Sequence, residues 1–465
     1  MRMLQITAGA AGMYCGSCTR DNGLARALLA RGHEVTLLPV YTPTRPDEPN
    51  VSRPRVLFGG ISVYLQQHVA LFRHTPRLLD RLWDSPRVIR ALAGRAISTD
   101  ATLLGDLTIS MLQGEEGVLR KEFDKLVDWI GAEPLPDVID LPNTLLISLA
   151  APLKRAFNRP VCCTMQGEEL FLDALVPPYR ERALALIRRQ VPAIDRFIAV
   201  SDYCARFMAD YLDIPASRIA VVPLGISLDG YEGRDPGSGI RDPAAQSPEP
   251  HAQSPEPFTV GYFARVAPEK GLHVLADAYV RLRRQTAGLP MRLEAAGYLP
   301  RANQTYLDGV RRTLDAAGLG GEFAYRGEVD RDGKLAFLRR LDVLSVPATY
   351  DEPKGMFVLE AMASGVPVVQ PRRGSFTEMV ERTGGGLLVD PDNPDALADG
   401  LRRVATDPAL RAALAGRAFA GVRAHYTAAQ SADRLLEVYA EVGRVSPGAG
   451  TMRGRPADDD HAPGH

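Results

Sequence analysis

Two glutamates stand at a spacing that suits one extended, hydroxyl-rich ligand. Glu352 and Glu360 are separated by seven residues in Tyr350-Asp351-Glu352-Pro353-Lys354-Gly355-Met356-Phe357-Val358-Leu359-Glu360, which continues as Ala361-Met362-Ala363-Ser364-Gly365-Val366-Pro367-Val368-Val369. Pro353 and Gly355 force a turn, and the apolar spacing of Met356, Leu359 and Ala363 predicts a short helix that begins near Gly355 and closes at Gly365. Amide groups at a helix start attract phosphate oxygens, so Gly355, Met356 and Phe357 are candidates to hold a phosphate through the backbone, Gly355 letting the ligand come close. Glu352 precedes the helix and Glu360 lies about one and a half turns into it, so the carboxylates reach different hydroxyl groups.

Upstream, Val260-Gly261-Tyr262-Phe263-Ala264-Arg265-Val266-Ala267-Pro268-Glu269-Lys270-Gly271 reads as an apolar strand entering a loop with two cations before a helix begins. Arg265 presents a planar fork of donors and Lys270 a mobile point charge, a combination that holds a pyrophosphate and neutralises it as it leaves. No Asp-x-Asp pair stands in either of these two loops. Cations on the chain then take the place of a metal ion, and neither metal nor other cofactor is expected.

These loops need strands to carry them. Apolar runs at Met3 to Ala8, Glu34 to Val40, Pro136 to Asp140, Val161 to Met165, Arg196 to Val200 and Ala220 to Val222 alternate with helical patterns such as Arg20 to Arg31. A second alternation starts at Phe258, so the fold class is α/β with βα units and parallel sheets. The 465 residues exceed the usual size of a single core, which makes two domains the expectation. Residues 231–257, rich in Pro, Ser and Gly, cannot bury a core and read as a linker. The tail over 446–465 is Gly/Pro-rich and acidic and is expected to be disordered.

Apolar content of 45% and charged content of 24% describe an ordinary soluble globular chain. A formal net charge of -1 leaves no global positive field to steer a polyanion, which argues against a nucleic-acid partner. Five cysteines, Cys162 and Cys163 adjacent, do not look like an extracellular disulfide framework. No run of about eighteen apolar residues appears, and Met1 to Thr7 starts as a strand without a signal-peptide profile. The expected location is the cytoplasm.

The glutamate segment and its Ala-Met-Ala-Ser-Gly-Val-Pro-Val-Val continuation resemble the signature of glycosyltransferase family 4, with Arg265 and Lys270 in the order and spacing of that family's arginine and lysine. The resemblance covers nearly the whole chain and implies the GT-B architecture, two Rossmann-like domains facing across a cleft. It implies an acceptor-side domain over 1–230, a donor-side domain over 258–425, and a helix within 426–445 that crosses back to the first domain. The implied activity is a retaining, metal-independent transfer, of hexosyl type, from a nucleoside diphosphate sugar to a hydroxyl acceptor on a glycan, lipid or small molecule. Arg265 and Lys270 would stabilise the diphosphate, Glu352 the donor sugar, Glu360 the ribose, and Val329 the base. Thr377 and Glu378, on the loop after the next strand, would line the sugar pocket. A silent nucleotide-sugar-binding protein, an epimerase and a phosphorylase are the alternatives. Both glutamates and both cations speak against the silent protein, and a phosphorylase would need lysine-bound pyridoxal phosphate.

In the first domain, Gly9-Ala10-Ala11-Gly12-Met13-Tyr14-Cys15-Gly16-Ser17-Cys18 lacks the Gly-x-Gly-x-x-Gly of a dinucleotide site, and Leu37, Leu38 and Pro39 stand where its acidic residue belongs. Cys15 and Cys18 have the spacing of a metal or redox pair but no second pair to complete a zinc site, and they read as structural or incidental. The resemblance implies that this loop, with Gly12, faces the cleft. Where many relatives carry Thr-x-His-Gly, this chain has Thr164-Met165-Gln166-Gly167. Gln166 can bond a sugar hydroxyl but does not titrate near neutral pH, which excludes a histidine base there. The departing phosphate oxygen would then take the acceptor proton, as in the front-face mechanism proposed for such enzymes. Glu168 and Glu169 offer polar contacts or, as is common after a strand, face solvent.

Between Phe72 and Arg95, arginines alternate with Leu78, Leu82, Trp83, Ile89 and Leu92, a basic face compatible with anionic lipid. Pro76, Pro86, Asp80 and Asp84 favour an ordinary surface segment, and peripheral membrane contact is the second reading.

Overall fold

The computed structural model describes residues 1–9, 16–54, 56, 101–231 and 256–445. Gly12, Cys15, the basic segment 72–95, most of the expected linker and the tail lie outside the described residues.

Two six-stranded parallel sheets carry the chain. The first, in the order β2-β1-β3-β4-β5-β6, comprises β1 (Arg2–Thr7), β2 (Glu34–Pro39), β3 (Val138–Leu141), β4 (Val161–Met165), β5 (Arg196–Ala199) and β6 (Ile219–Val221). β1 lies in register between its neighbours, Arg2 opposite Glu34 on one side and Met3 opposite Val138 on the other. Every residue of β4 is buried, because helices cover both faces of a parallel sheet, and so it reads as a continuous apolar run. The strand expected from Pro136 begins at Val138, since proline has no N–H to give the ladder. The helix expected from Arg20 begins one turn earlier and spans Gly16–Ala30. The missed turn, Gly16-Ser17-Cys18-Thr19, is built of small residues that show no apolar periodicity, and the turns after it bury Arg20, Asp21 and Asn22.

The second sheet is ordered β12-β11-β10-β7-β8-β9, with β7 (Phe258–Phe263), β8 (Met291–Ala296), β9 (Phe323–Tyr325), β10 (Val343–Leu344), β11 (Val368–Pro371) and β12 (Gly386–Val389). Strand order reverses between β7 and β10, and loops leaving the two sides of a reversal diverge to open a crevice at the carboxyl ends. The loop after β7 carries Arg265 and Lys270, and the loop after β10 carries Tyr350 and Glu352. Topology alone therefore brings together residues far apart in sequence.

Each sheet has its own apolar core. A third cluster joins Met3, Leu24, Leu28 and Ile198 to Leu435, Val438, Tyr439 and Val442 of the helix Ala428–Val445, so the end of the chain packs on the first sheet. Its Tyr439 hydroxyl donates to Asp140 Oδ2 at 2.8 Å.

Candidate active site

A cavity of about 400 Å³ lies between the carboxyl ends of the two sheets, a size ordinary for a small-molecule site. Arg265, Lys270, Val329, Glu352, Gly355, Met356, Phe357 and Glu360 line it from the second domain, and Gln166 from the first.

Lys270 ends a short turn, Pro268–Lys270, after β7. Its ammonium donates to the Glu352 carboxylate and, at 2.6 Å, to the Tyr350 hydroxyl, which in turn donates to Glu352 Oε2 at 2.5 Å. Burial alone would push the Glu352 carboxyl up, but Lys270 and the Tyr350 hydroxyl outweigh it and hold it at about 2. Glu352 is thus an anion at any physiological pH. The sequence reading sends Lys270 to the diphosphate and Glu352 to the sugar; the structure pairs them with each other, one charge balancing the other. Arg265 differs, for its side chain is 43% exposed and pairs with Glu269 four residues on.

The helix Met356–Ala363 begins after Gly355, whose φ is +65°. A Cβ there would meet Phe376 Cε1 at 3.1 Å, so backbone conformation and this ring explain the glycine without ligand approach. The Gly355 amide lies 3.4 Å from Glu352 Oε1, which leaves the amides of Met356 and Phe357 as the better candidates for a ligand. Farther along, Glu360 Oε1 accepts from Lys334 Nζ at 2.6 Å, and Lys334 also donates to Asp47 of the first domain. Burial, then Asp47, raise the Glu360 carboxyl above its ordinary range, against the pull of Lys334.

On the first-domain wall, Gln166 Nε2 donates to Asp21 Oδ1 at 3.3 Å and to the Pro142 carbonyl at 3.0 Å, while its buried Oε1 has no hydrogen-bond partner in the protein. Glu168 and Glu169 are buried, not solvated. Glu168 accepts from Thr144 and from the Gln166 amide, a structural role. Glu169 Oε2 has no partner, and burial, then Glu168, push its carboxyl up to about 7. Gly167, at φ +95°, lies where a Cβ would sit 2.4 Å from Pro353 Cγ, so the two domains touch there with no room for a side chain. Lys354 Nζ donates to Ser17 Oγ across the cleft at 2.7 Å.

Thr377 and Glu378 are placed differently from expectation. They belong to the helix Ser375–Thr383, not to a loop, and neither is among the residues lining the cavity. Glu378 accepts from the Tyr203 amide at 3.3 Å, tying that helix to the first domain. Sequence reasoning assigned no role to Tyr350, Lys334 or Asp47. Tyr350 lay inside the motif, where its position two residues before Glu352 was the available signal; a helix lysine and a loop aspartate carry none until the fold pairs them. Among the described residues, no group of three or more His, Cys, Asp or Glu is placed to hold a metal ion, and no helix is long and apolar enough to cross a membrane.

Comparison with known proteins follows these two halves. The family described as Glycosyl transferase 4-like domain matches residues 16–225, and the family described as Glycosyl transferases group 1 matches residues 245–420. A D-inositol 3-phosphate glycosyltransferase from Nocardioides sp. is 29% identical over 271 residues, 54% of this chain and 56% of that protein. A phosphatidyl-myo-inositol mannosyltransferase from Mycobacterium tuberculosis is 28% identical over 250 residues, 53% of this chain and 59% of that protein. The chain thus spans less than two thirds of the length of these curated relatives. Sucrose-phosphate synthase from Thermosynechococcus elongatus superposes with a TM-score of 0.65 at 19% identity, over 95% of this chain and 99% of that one. Anabaena HepE in complex with UDP-glucose does so with a TM-score of 0.62 at 19% identity, over 95% and 100%. At such identity the likeness is one of fold.

Proposed function

We propose, for a chain that belongs to the GT4-type glycosyltransferases with the GT-B fold, that it moves a sugar from a nucleoside diphosphate donor to a hydroxyl acceptor, with retention and without a metal ion. The observation that carries this reading is the buried Glu352 with the half-buried Lys270 and Tyr350 bonded to it, set beside a helix start in the cleft.

The diphosphate lies against Arg265, Lys270 and the amides of Met356 and Phe357, where fixed positive charge meets the negative charge that grows as the donor breaks. Glu352, always ionised, accepts from hydroxyls of the donor sugar, and Glu360 accepts from the ribose. Val329 flanks the base. The bond from the anomeric carbon to the diphosphate oxygen breaks, the acceptor oxygen bonds to the same face, and its proton passes to the departing phosphate oxygen. Gln166 holds no titratable proton, so it orients a hydroxyl through Oε1 and leaves the proton transfer to the phosphate.

UDP-sugars are the first donors to test, since a structural neighbour carries UDP-glucose. Proton NMR of the freshly formed product gives the anomeric configuration. The reading requires the donor's own configuration in the product and the same rate in excess EDTA. An inverted product, or activity lost in EDTA and restored by magnesium or manganese, would overturn it.

A further inference from the structure

Among the described lining residues, Asp47 is the first domain's one carboxylate, and its side chain is 9% exposed. Oδ2 receives the Lys334 ammonium with the Arg331 guanidinium 3.9 Å away, while Oδ1 has no hydrogen-bond partner. The same Lys334 ammonium lies 2.6 Å from Glu360 Oε1. Two carboxylates from opposite domains thus flank one ammonium, with a buried acceptor oxygen left over.

The leftover oxygen selects its ligand. A phosphate there would meet two carboxylates, and a cation would meet Lys334 and Arg331. A neutral O–H donor faces neither penalty. Glu360 stands five residues beyond Gly355, roughly 7.5 Å along the helix axis from the phosphate end, about the reach from a diphosphate to the far edge of a ribose ring. A vicinal diol offers two adjacent donors, one for each carboxylate.

We propose that Asp47 Oδ1 accepts a hydrogen bond from a ribose hydroxyl of the donor, so that the diol is shared between Glu360 and Asp47. This inference rests on the nucleotide-sugar reading. It makes donor binding a property of both domains, with Lys334 as the clasp between them.

The test is titration calorimetry of wild type with UDP, GDP and ADP, then with the 2′-deoxy and 3′-deoxy forms of the tightest binder. Wild type should prefer the ribonucleotide over at least one deoxy form by about tenfold or more, as expected for a hydrogen bond to a charged acceptor. In Asp47→Asn that preference should shrink to within about twofold, while Glu360→Gln should lower the preference at the other hydroxyl. Asp47→Ser serves as the second variant, and thermal unfolding shows which variants are folded. Equal weakening of ribo and deoxy forms in the Asp47 variants overturns the inference alone, whereas no deoxy penalty in wild type overturns it together with the Glu360 contact to the ribose and leaves the diphosphate site standing. If no nucleoside diphosphate binds wild type, the donor reading itself fails and takes the inference with it.

Discussion

The two walls of the cleft are built on opposite principles. On the second-domain wall Lys270 is matched to Glu352 and Lys334 to Glu360, both carboxylates buried, and the Glu352 carboxyl is held down at about 2. On the first-domain side, apart from Asp47, the lining presents Gln166, whose Oε1 is buried without a partner, and behind it Glu169 Oε2 is also buried without one, its carboxyl pushed by burial up to about 7. One wall is preorganised for a charged ligand. The other presents a neutral amide acceptor, Gln166 Oε1, suited to a hydroxyl group.

Breaking the ionic wall should have the largest effect. Lys270→Met leaves Glu352 buried and unpaired, which should cost about 3–5 kcal/mol of stability in chemical denaturation and lower transfer by about 10- to 100-fold. Lys270→Met with Glu352→Gln should recover much of the stability and none of the transfer. Arg265→Ala should lose a similar share of activity but only about 0–1 kcal/mol of stability, because its ion pair is exposed. A Lys270→Met protein as stable as wild type would show that the second-domain wall does not depend on this ion pair.

The pH dependence of stability should separate Glu352 of the cleft from Asp140, a buried first-domain carboxyl bonded to Tyr439. Glu352, depressed to about 2, contributes stability that is present above its unfolded pKa near 4.3 and fades as pH falls towards 2. Asp140, raised to about 6, does the reverse: its contribution is full below an unfolded value near 3.9 and is lost as pH rises through about 6. Wild type should therefore lose on the order of 1–3 kcal/mol between pH 4 and pH 7 from this group, and Asp140→Asn should flatten that limb. An unchanged limb in the variant would assign it elsewhere.

The smallest effect belongs to the neutral wall. Gln166→Leu removes one neutral acceptor, so the acceptor KM should rise by about three- to tenfold while donor affinity stays within about twofold. A larger effect on the donor would move Gln166 to the other side of the cleft.

What the sequence disclosed follows the same division. Alternating apolar runs announced parallel sheets, because buried parallel strands are apolar on both faces, and the spacing of Glu352 and Glu360 survives folding because one short helix carries the second of them. The start of the first helix escaped, for the helix read from Arg20 begins at Gly16, where Gly16, Ser17, Cys18 and Thr19 offer no apolar periodicity. Thr377 and Glu378 were assigned to a loop, yet Gly374 starts a helix there and turns Glu378 towards Tyr203. Asp47 and Lys334 were invisible for a plainer reason: each is an ordinary residue in its own segment, and their meaning arises where two domains meet.

Nucleoside diphosphate binding at the second-domain wall is the central claim. Titration calorimetry in EDTA, comparing wild type with the Arg265→Ala variant against UDP, GDP and ADP, measures it directly. At least one diphosphate should bind wild type without metal, and Arg265→Ala should weaken it by about tenfold or more. Absence of binding to all three, or equal affinity in the variant, would contradict the claim that this wall grips a diphosphate.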